Sequence, residues 1–170
     1  MAEYTSRSFD LLTLGQLLLR LSPPDNDRLS RGDTFVKQVG GAELNVAVGA
    51  SLLGLRTGVI SKLPSHDIGS FMKGKIRSFG VSDDFFMYDD SPSARVGIYY
   101  YENGAYPRKP KVIYDRMNSS FFSLNIDEIP KEVYTASKCF HTTGITLALS
   151  PQIRETTIEM IKRFKEAGFL

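Results

Sequence analysis

The sequence predicts an α/β protein: a doubly wound sheet flanked by helices, from which a small antiparallel β lid projects. Three observations lead to this class. Strand-like and helix-like segments alternate over residues 34–80, the rhythm of crossovers between parallel strands. Over residues 85–116 the rhythm changes to consecutive β-rich stretches with turn residues between them and no helix, which suits antiparallel pairing. Alternation of helix and strand then returns over residues 131–170.

Taken in order, Phe9 to Leu21 is apolar almost throughout, interrupted by Gly15 and Gln16, and reads as a central parallel strand buried on both faces. After the loop around Ser22-Pro23-Pro24, Thr34 to Val39 reads as a short strand. Gly40-Gly41 opens a helix over Ala42 to Leu53, which Gly54 closes. A strand follows at Thr57 to Leu63, then a helix from Asp67 to Phe79, with Ile68, Phe71, Met72, Ile76 and Phe79 at helical spacing and Gly80 as its stop. The β-rich stretches are Phe85 to Tyr88, Ala94 to Glu102 and Lys111 to Arg116, and together with residues 34–39 they are expected to form the lid. A short helix near Lys131 to Ala136 and a strand at Cys139 to Thr142 precede a last helix over Pro151 to Ala167. That helix carries Ser150 as N-cap, Pro151 at its first position, Gly168 as its stop, and Ile153, Thr157, Ile161 and Phe164 on one face. Phe169 and Leu170 look like the first residues of a further strand, so the sheet is expected to be truncated at its C-terminal end.

Composition narrows the function classes. The chain has 170 residues, 42% of them hydrophobic and 24% charged, the balance of one globular domain that can bury a sizeable core. With 21 basic and 19 acidic residues the net charge is only +2, so no global basic field attracts nucleic acid or anionic lipid. The single cysteine, Cys139, excludes an internal disulfide, and the two distant histidines cannot join it in a zinc site of usual spacing, so no structural metal is expected. The opening residues contain no apolar run of signal-peptide length, and no stretch reaches the roughly 18 apolar residues of a membrane span. The expected location is the cytosol.

Several local signals are set aside. Gly69-x4-Gly74-Lys75 has the letters of a phosphate loop, but Ile76 stands where a hydroxyl is needed and the string falls inside an amphipathic helix. Asn118-Ser119-Ser120 is a glycosylation sequon only by letter. His66 and His141 have no companions at ligand or triad spacing and read as structural, and Cys139 reads as an inert core thiol. Tyr106, Arg108, Lys109, Lys111, Tyr114 and Arg116 could stack and pair with bases, but the small net charge argues against nucleic acid.

Two features point to a small polar ligand. Gly40-Gly41 before a helix either makes a tight turn or lets a ligand approach the backbone and the first free N–H groups; Asn45, in the first turn, would bring an amide to the same corner, suited to a polyol. Strand alternation puts Val112, Tyr114 and Arg116 on one face, and Arg95, Gly97, Tyr99 and Tyr101 on one face of the preceding strand. Such faces are either ordinary exposed β surface or a place where phenol and guanidinium hold a carboxylate.

With these residues in view, the chain resembles the N-terminal half of the ribokinase-like (PfkB) carbohydrate kinases over nearly its whole length. The resemblance rests on the opening strand Phe9-Asp10-Leu11-Leu12-Thr13-Leu14-Gly15 and on Gly40-Gly41-Ala42-Glu43-Leu44-Asn45-Val46-Ala47, with Gly54 downstream. Arg20-Leu21-Ser22-Pro23-Pro24, Val96-Gly97-Ile98-Tyr99 and Val112-Ile113-Tyr114-Asp115-Arg116 are most similar to 2-keto-3-deoxygluconate kinases. The resemblance implies ATP-dependent phosphorylation of a sugar or sugar acid, with ATP and Mg as cofactors and a homo-oligomer formed through the lid. It implies that Gly40, Gly41 and Asn45 bind sugar hydroxyls, and that Tyr99, Tyr114 and Arg116 contact the sugar and its carboxylate. Gln16 stands where most relatives carry an acid; its amide can still bond a hydroxyl but adds no charge. The family's Gly-Ala-Gly-Asp motif, with its catalytic Asp and anion hole, does not occur here, nor does the nucleotide pocket, so the chain is expected to be inactive alone. The alternative expectation is a non-catalytic module that binds sugar acids or dimerises.

Overall fold

The computed structural model describes residues 8–168. Phe169 and Leu170, expected to begin a further strand, and residues 1–7, where no leader is expected, lie outside the described residues. The described residues form two sheets. The main sheet contains β1 (Leu11–Leu14), β4 (Thr57–Pro64), β5 (Val81–Ser82), β6 (Phe86–Asp89) and β9 (Phe140–His141), in the order β5-β4-β1-β9 with β6 also on β4. All its pairings are parallel. The lid is a second sheet of β2 (Leu18–Ser22), β3 (Val36–Gly40), β7 (Gly97–Glu102) and β8 (Lys111–Asp115), in the order β3-β2-β7-β8. The helices are α1 (Ala42–Leu52), α2 (Asp67–Arg77), α3 (Val133–Ala136), α4 (Gly144–Leu147) and α5 (Pro151–Glu166).

Burial on both faces of the main sheet makes the fold doubly wound. On one side Leu12, Leu14 and Ile60 pack with Phe121, Leu124, Val133, Ile153, Met160 and Phe164; on the other Val59 and Leu63 pack with Leu44, Ala47, Met72 and Ile76. Adjacent β4 residues Val59 and Ile60 thus point to opposite cores, as the pleat requires. Phe164 of α5 stacks on Phe140 at 4.2 Å between ring centroids and meets Tyr134 edge-on at 5.2 Å. Local sequence sets the helix ends. Ser150 accepts from the Ile153 N–H and Pro151 occupies the first position of α5, while His66 takes a structural place as N-cap of α2, accepting from the Ile68 N–H.

Four expectations are corrected. The apolar run Phe9 to Leu21 is not one strand. Its first part is β1 in the main sheet and its last part is β2 in the lid, because at residues 15–17 the chain leaves one sheet for the other. Gly15 permits this: a Cβ there would fall 2.2 Å from Glu43 Oε2. As a result the lid contains a parallel pair, β2 with β7, between its antiparallel pairs β2–β3 and β7–β8. Second, the stretch at Phe85 to Tyr88 does not belong to the lid. β5 pairs with Thr57–Gly58 and β6 with Ser61–Pro64, so the two lie end to end along one edge of β4 and the chain need not reverse. Third, Cys139 is exposed, because it precedes a two-residue strand at the end of the sheet order. Fourth, the buried face of α5 carries Ile153, Thr156, Thr157, Met160 and Phe164, and Ile161 points outward.

Candidate functional site

A cavity of about 300 Å³ lies where the carboxyl end of β1, the N-terminus of α1 and the inner face of the lid meet. Crevices beyond the carboxyl ends of parallel strands are the usual ligand positions of open α/β sheets. Each wall follows from a local cause. Beyond β1 the crossing segment brings Gln16 to the cavity, and β2 carries Arg20 up beside it. In the lid, register sets Tyr99 of β7 directly opposite Tyr114 of β8, with ring centroids 5.9 Å apart. Tyr101 follows on the same face, and the Arg20 guanidinium lies 4.2 Å above its ring. Arg116 stands just past β8, its guanidinium 5.6 Å from the Tyr114 ring.

The floor is the start of α1. Gly41 is its N-cap with φ +154°, and no side chain caps the first turn, so the helix presents free N–H groups to the cavity. A Cβ on Gly41 would lie 2.9 Å from the Gln16 carbonyl oxygen. Asn45, exposed in the same turn, also lines the cavity. Gly40 is buried one step behind, and a Cβ there would meet Tyr99 Oη at 2.6 Å. The glycine pair therefore serves both a turn and a close approach: Gly41 opens the floor and Gly40 makes room for Tyr99.

The structure thus brings Gln16, Gly41, Asn45, Tyr99, Tyr114 and Arg116 to one cavity, with Gly40 supporting Tyr99 from behind. It does not bring Arg95. That side chain lies before β7 begins, outside the alternation, and pairs with Asp115 at 2.8 Å. Glu43 is a residue of the site that periodicity does not single out. It is only 2% exposed and lines the cavity, and its Oε1 accepts from the Thr143 N–H at 3.2 Å and from the hydroxyls of Thr143 and Thr146 at 2.6 and 2.7 Å. The one available signal was a carboxylate two residues after the glycine pair, at a position where a helix buries its first turn. Arg20 and Tyr101 are also cavity residues without an assigned role in the sequence reading.

Electrostatics favour an anionic ligand. Burial holds the Arg116 guanidinium below its ordinary value, opposed by the nearby Tyr114 and Glu43. Burial likewise pushes the Tyr99 phenol up, against the pull of Arg20, so it stays a neutral donor at physiological pH. Among the described residues Arg116 forms no ion pair. A cavity with an unneutralised guanidinium, phenols, a side-chain amide and free helix N–H groups can hold a carboxylate at one end and hydroxyls at the other.

Among the described residues no group of three or more His, Cys, Asp or Glu is placed to hold a metal ion. The Gly69-x4-Gly74-Lys75 string lies inside α2, where a Cβ on Gly69 would meet the Pro64 carbonyl at 1.9 Å, so that glycine serves packing. No helix among the described residues is long and apolar enough to cross a membrane.

Known proteins are similar to this chain over most of its length. The profile described as pfkB family carbohydrate kinase matches residues 8–169. The 2-dehydro-3-deoxygalactonokinase of Haloferax volcanii is 39% identical over 159 residues, covering 94% of this chain and 49% of that protein. The 5-dehydro-2-deoxygluconokinase of Listeria innocua is 28% identical over 160 residues, covering 94% of this chain and 48% of that protein. The crystal structure of 2-dehydro-3-deoxygluconokinase from Thermotoga maritima superposes with a TM-score of 0.89 at 33% identity, covering 95% of this chain and 49% of that one. The chain spans about half the length of the curated relatives it matches. The expectation of an inactive piece is corrected by the profile match: a carbohydrate-kinase profile spans residues 8–169, and inactivity does not follow from a motif that this stretch does not contain.

Proposed function

The chain belongs to the pfkB family of carbohydrate kinases, and from that premise we propose that it serves the ATP-dependent phosphorylation of a sugar acid, 2-keto-3-deoxygluconate (2-dehydro-3-deoxygluconate) in the first place. One observation carries the choice of an acid over a neutral hexose: Arg116 lies half-buried in the cavity wall beside Tyr114, with no carboxylate paired to it among the described residues. Charge-assisted bonds to a carboxylate are roughly twice as strong as neutral ones, so an acid gains most from this wall.

In this reading Arg116 and Tyr114 take the carboxylate, Tyr99 donates from its neutral phenol, and Asn45 with the N–H groups after Gly41 takes hydroxyls. Gly40 acts by admitting Tyr99. The site thereby fixes both ends of a short chain, and that fixed pose is the main contribution such residues make to phosphoryl transfer, whose cost is met by positioning and charge stabilisation. ATP with Mg is the proposed phosphoryl donor. Assembly through the lid is part of the same proposal: β8 ends the lid's strand order and is exposed at every position, an edge on which a second copy could pair. Light scattering checks it.

The test is a coupled assay of ATP-dependent phosphorylation, using the protein as it is naturally made, with 2-keto-3-deoxygluconate, its galacto epimer, 5-keto-2-deoxygluconate and fructose. The expected result is a kcat/KM for the best sugar acid about 10²-fold above that for fructose. Equal or better use of fructose overturns the proposal.

A further inference from the structure

Away from the cavity seven cations sit on carboxylates: Arg56 and Lys138 on Asp10, Arg77 and Lys73 on Asp83, Arg95 on Asp115, Arg108 on Glu102, Lys62 on Glu128. The two arginines that line the cavity are held by neutral groups. Arg20 donates to Ser22 Oγ at 2.9 Å and lies over Tyr101. Arg116 donates from Nε and Nη2 to Gln16 Oε1, at 2.8 and 2.5 Å.

Gln16 is only 3% exposed, and its amide has nothing left to offer a ligand. Its Nε2 donates to the Arg116 carbonyl at 3.1 Å and to Ser119 Oγ at 2.7 Å. The orientation is forced, since a flipped amide would set oxygen against the Arg116 carbonyl and N–H groups against the guanidinium. One amide therefore grips Arg116 at both its backbone and its side chain, across 100 positions of sequence.

We propose that Gln16 is a positioning residue that fixes Arg116 with a neutral acceptor, so that the guanidinium keeps its charge for the carboxylate of the ligand. This inference rests on the sugar-acid reading above and adds to it what sets the specificity. Gln16 takes the Nε–Nη2 edge of the fork and leaves the Nη1–Nη2 edge open, the geometry a carboxylate meets with two bonds. A carboxylate at position 16 would take the same edge but neutralise the charge, and would stand as a like charge toward the incoming acid. Glu43 is the other acid felt by Arg116, and its Oε1 is already engaged by Thr143 and Thr146.

The experiment measures binding of 2-keto-3-deoxygluconate and of fructose by calorimetry at low and high salt, with the naturally made protein and its Gln16→Glu and Gln16→Met variants, folding being checked by circular dichroism. Gln16→Glu is expected to weaken sugar-acid binding at least about tenfold, to leave fructose binding within about threefold, and to flatten the salt dependence of acid binding. Gln16→Met, with no acceptor and no charge, is expected to weaken acid binding about three- to tenfold while the salt dependence persists. It carries the test if the Glu variant does not fold. Equal losses for acid and fructose, or no loss in either variant, overturn the inference and leave the sugar-acid reading standing. A wild-type protein that binds fructose as well as the acid overturns both.

Discussion

Strand β4 is buried at all eight of its positions, and strand β8 is exposed at all five. The first lies inside the main sheet with a core on each face, so its side chains are committed to packing. The second closes one edge of the lid, with one face toward solvent and the other toward the cavity. The contrast assigns stability to one sheet and recognition to the other. A parallel sheet covered on both faces gains from every apolar residue, while a lid with an uncovered inner face leaves its phenols and guanidinium groups for whatever enters.

That division can be broken by substitutions, beginning with the largest expected effect. Leu12→Ala, at a side chain with 0% exposure in β1, is expected to cost about 2–5 kcal/mol in chemical unfolding while leaving the ratio of sugar-acid to fructose affinity unchanged. A shifted ratio would mean that the main sheet also shapes the site. Arg116→Ala is the mirror experiment. It is expected to lower sugar-acid affinity about 30- to 100-fold, the value of about 2–3 kcal/mol for lost charged hydrogen bonds, with a stability cost of about 1–3 kcal/mol for the buried Gln16 Oε1 it leaves unpaired.

Gly40→Ala sharpens the comparison where the sheets meet. The added Cβ meets Tyr99 Oη, so the ring must swing into the cavity, and KM for the sugar acid is expected to rise about three- to tenfold with little change in kcat. The smallest effect is at the far end of the main sheet. Asp10 receives Lys138 Nζ at 2.7 Å and the Arg56 N–H at 2.9 Å, which join the starts of β1, β4 and β9, and these bonds hold its carboxyl well below the usual range. A depressed folded-state value means that its stabilisation is present above the unfolded value near pH 4 and is lost as pH falls below it. Asp10→Asn is therefore expected to cost about 1 kcal/mol at neutral pH and to flatten the fall of melting temperature below about pH 4, with ligand affinity unaffected.

Legibility followed the range of the interactions. The ends of α5 could be read from Ser150, Pro151 and Gly168, because a cap is made by neighbours in the chain. The shared faces of Tyr99 with Tyr101, and of Tyr114 with Arg116, could be read from alternation, because the pleat has period two. Arg95 was misplaced by the same rule, since the alternation starts only at Gly97. The run from Phe9 to Leu21 was read as one strand because apolarity reports burial and not the sheet that provides it; β1 is buried throughout and β2 at three of its five positions, one in each sheet. The parallel placement of β6 was hidden for a related reason: it depends on a free stretch of β4 edge beyond β5, which no local pattern records.

The sequence alone determined the α/β class, the helix ends, the glycine pair before α1 and the residue types available for a polar cavity, all of which arise from short-range sterics and periodicity. Tertiary structure alone decided that β1 and β2 part company at Gly15, that Glu43 meets Thr143 and Thr146, and that the Gln16 amide is spent in the cavity wall on Arg116 and Ser119. Those contacts join residues about 100 positions apart, and a hydrogen bond over that separation exists only once packing has brought both ends to the same place.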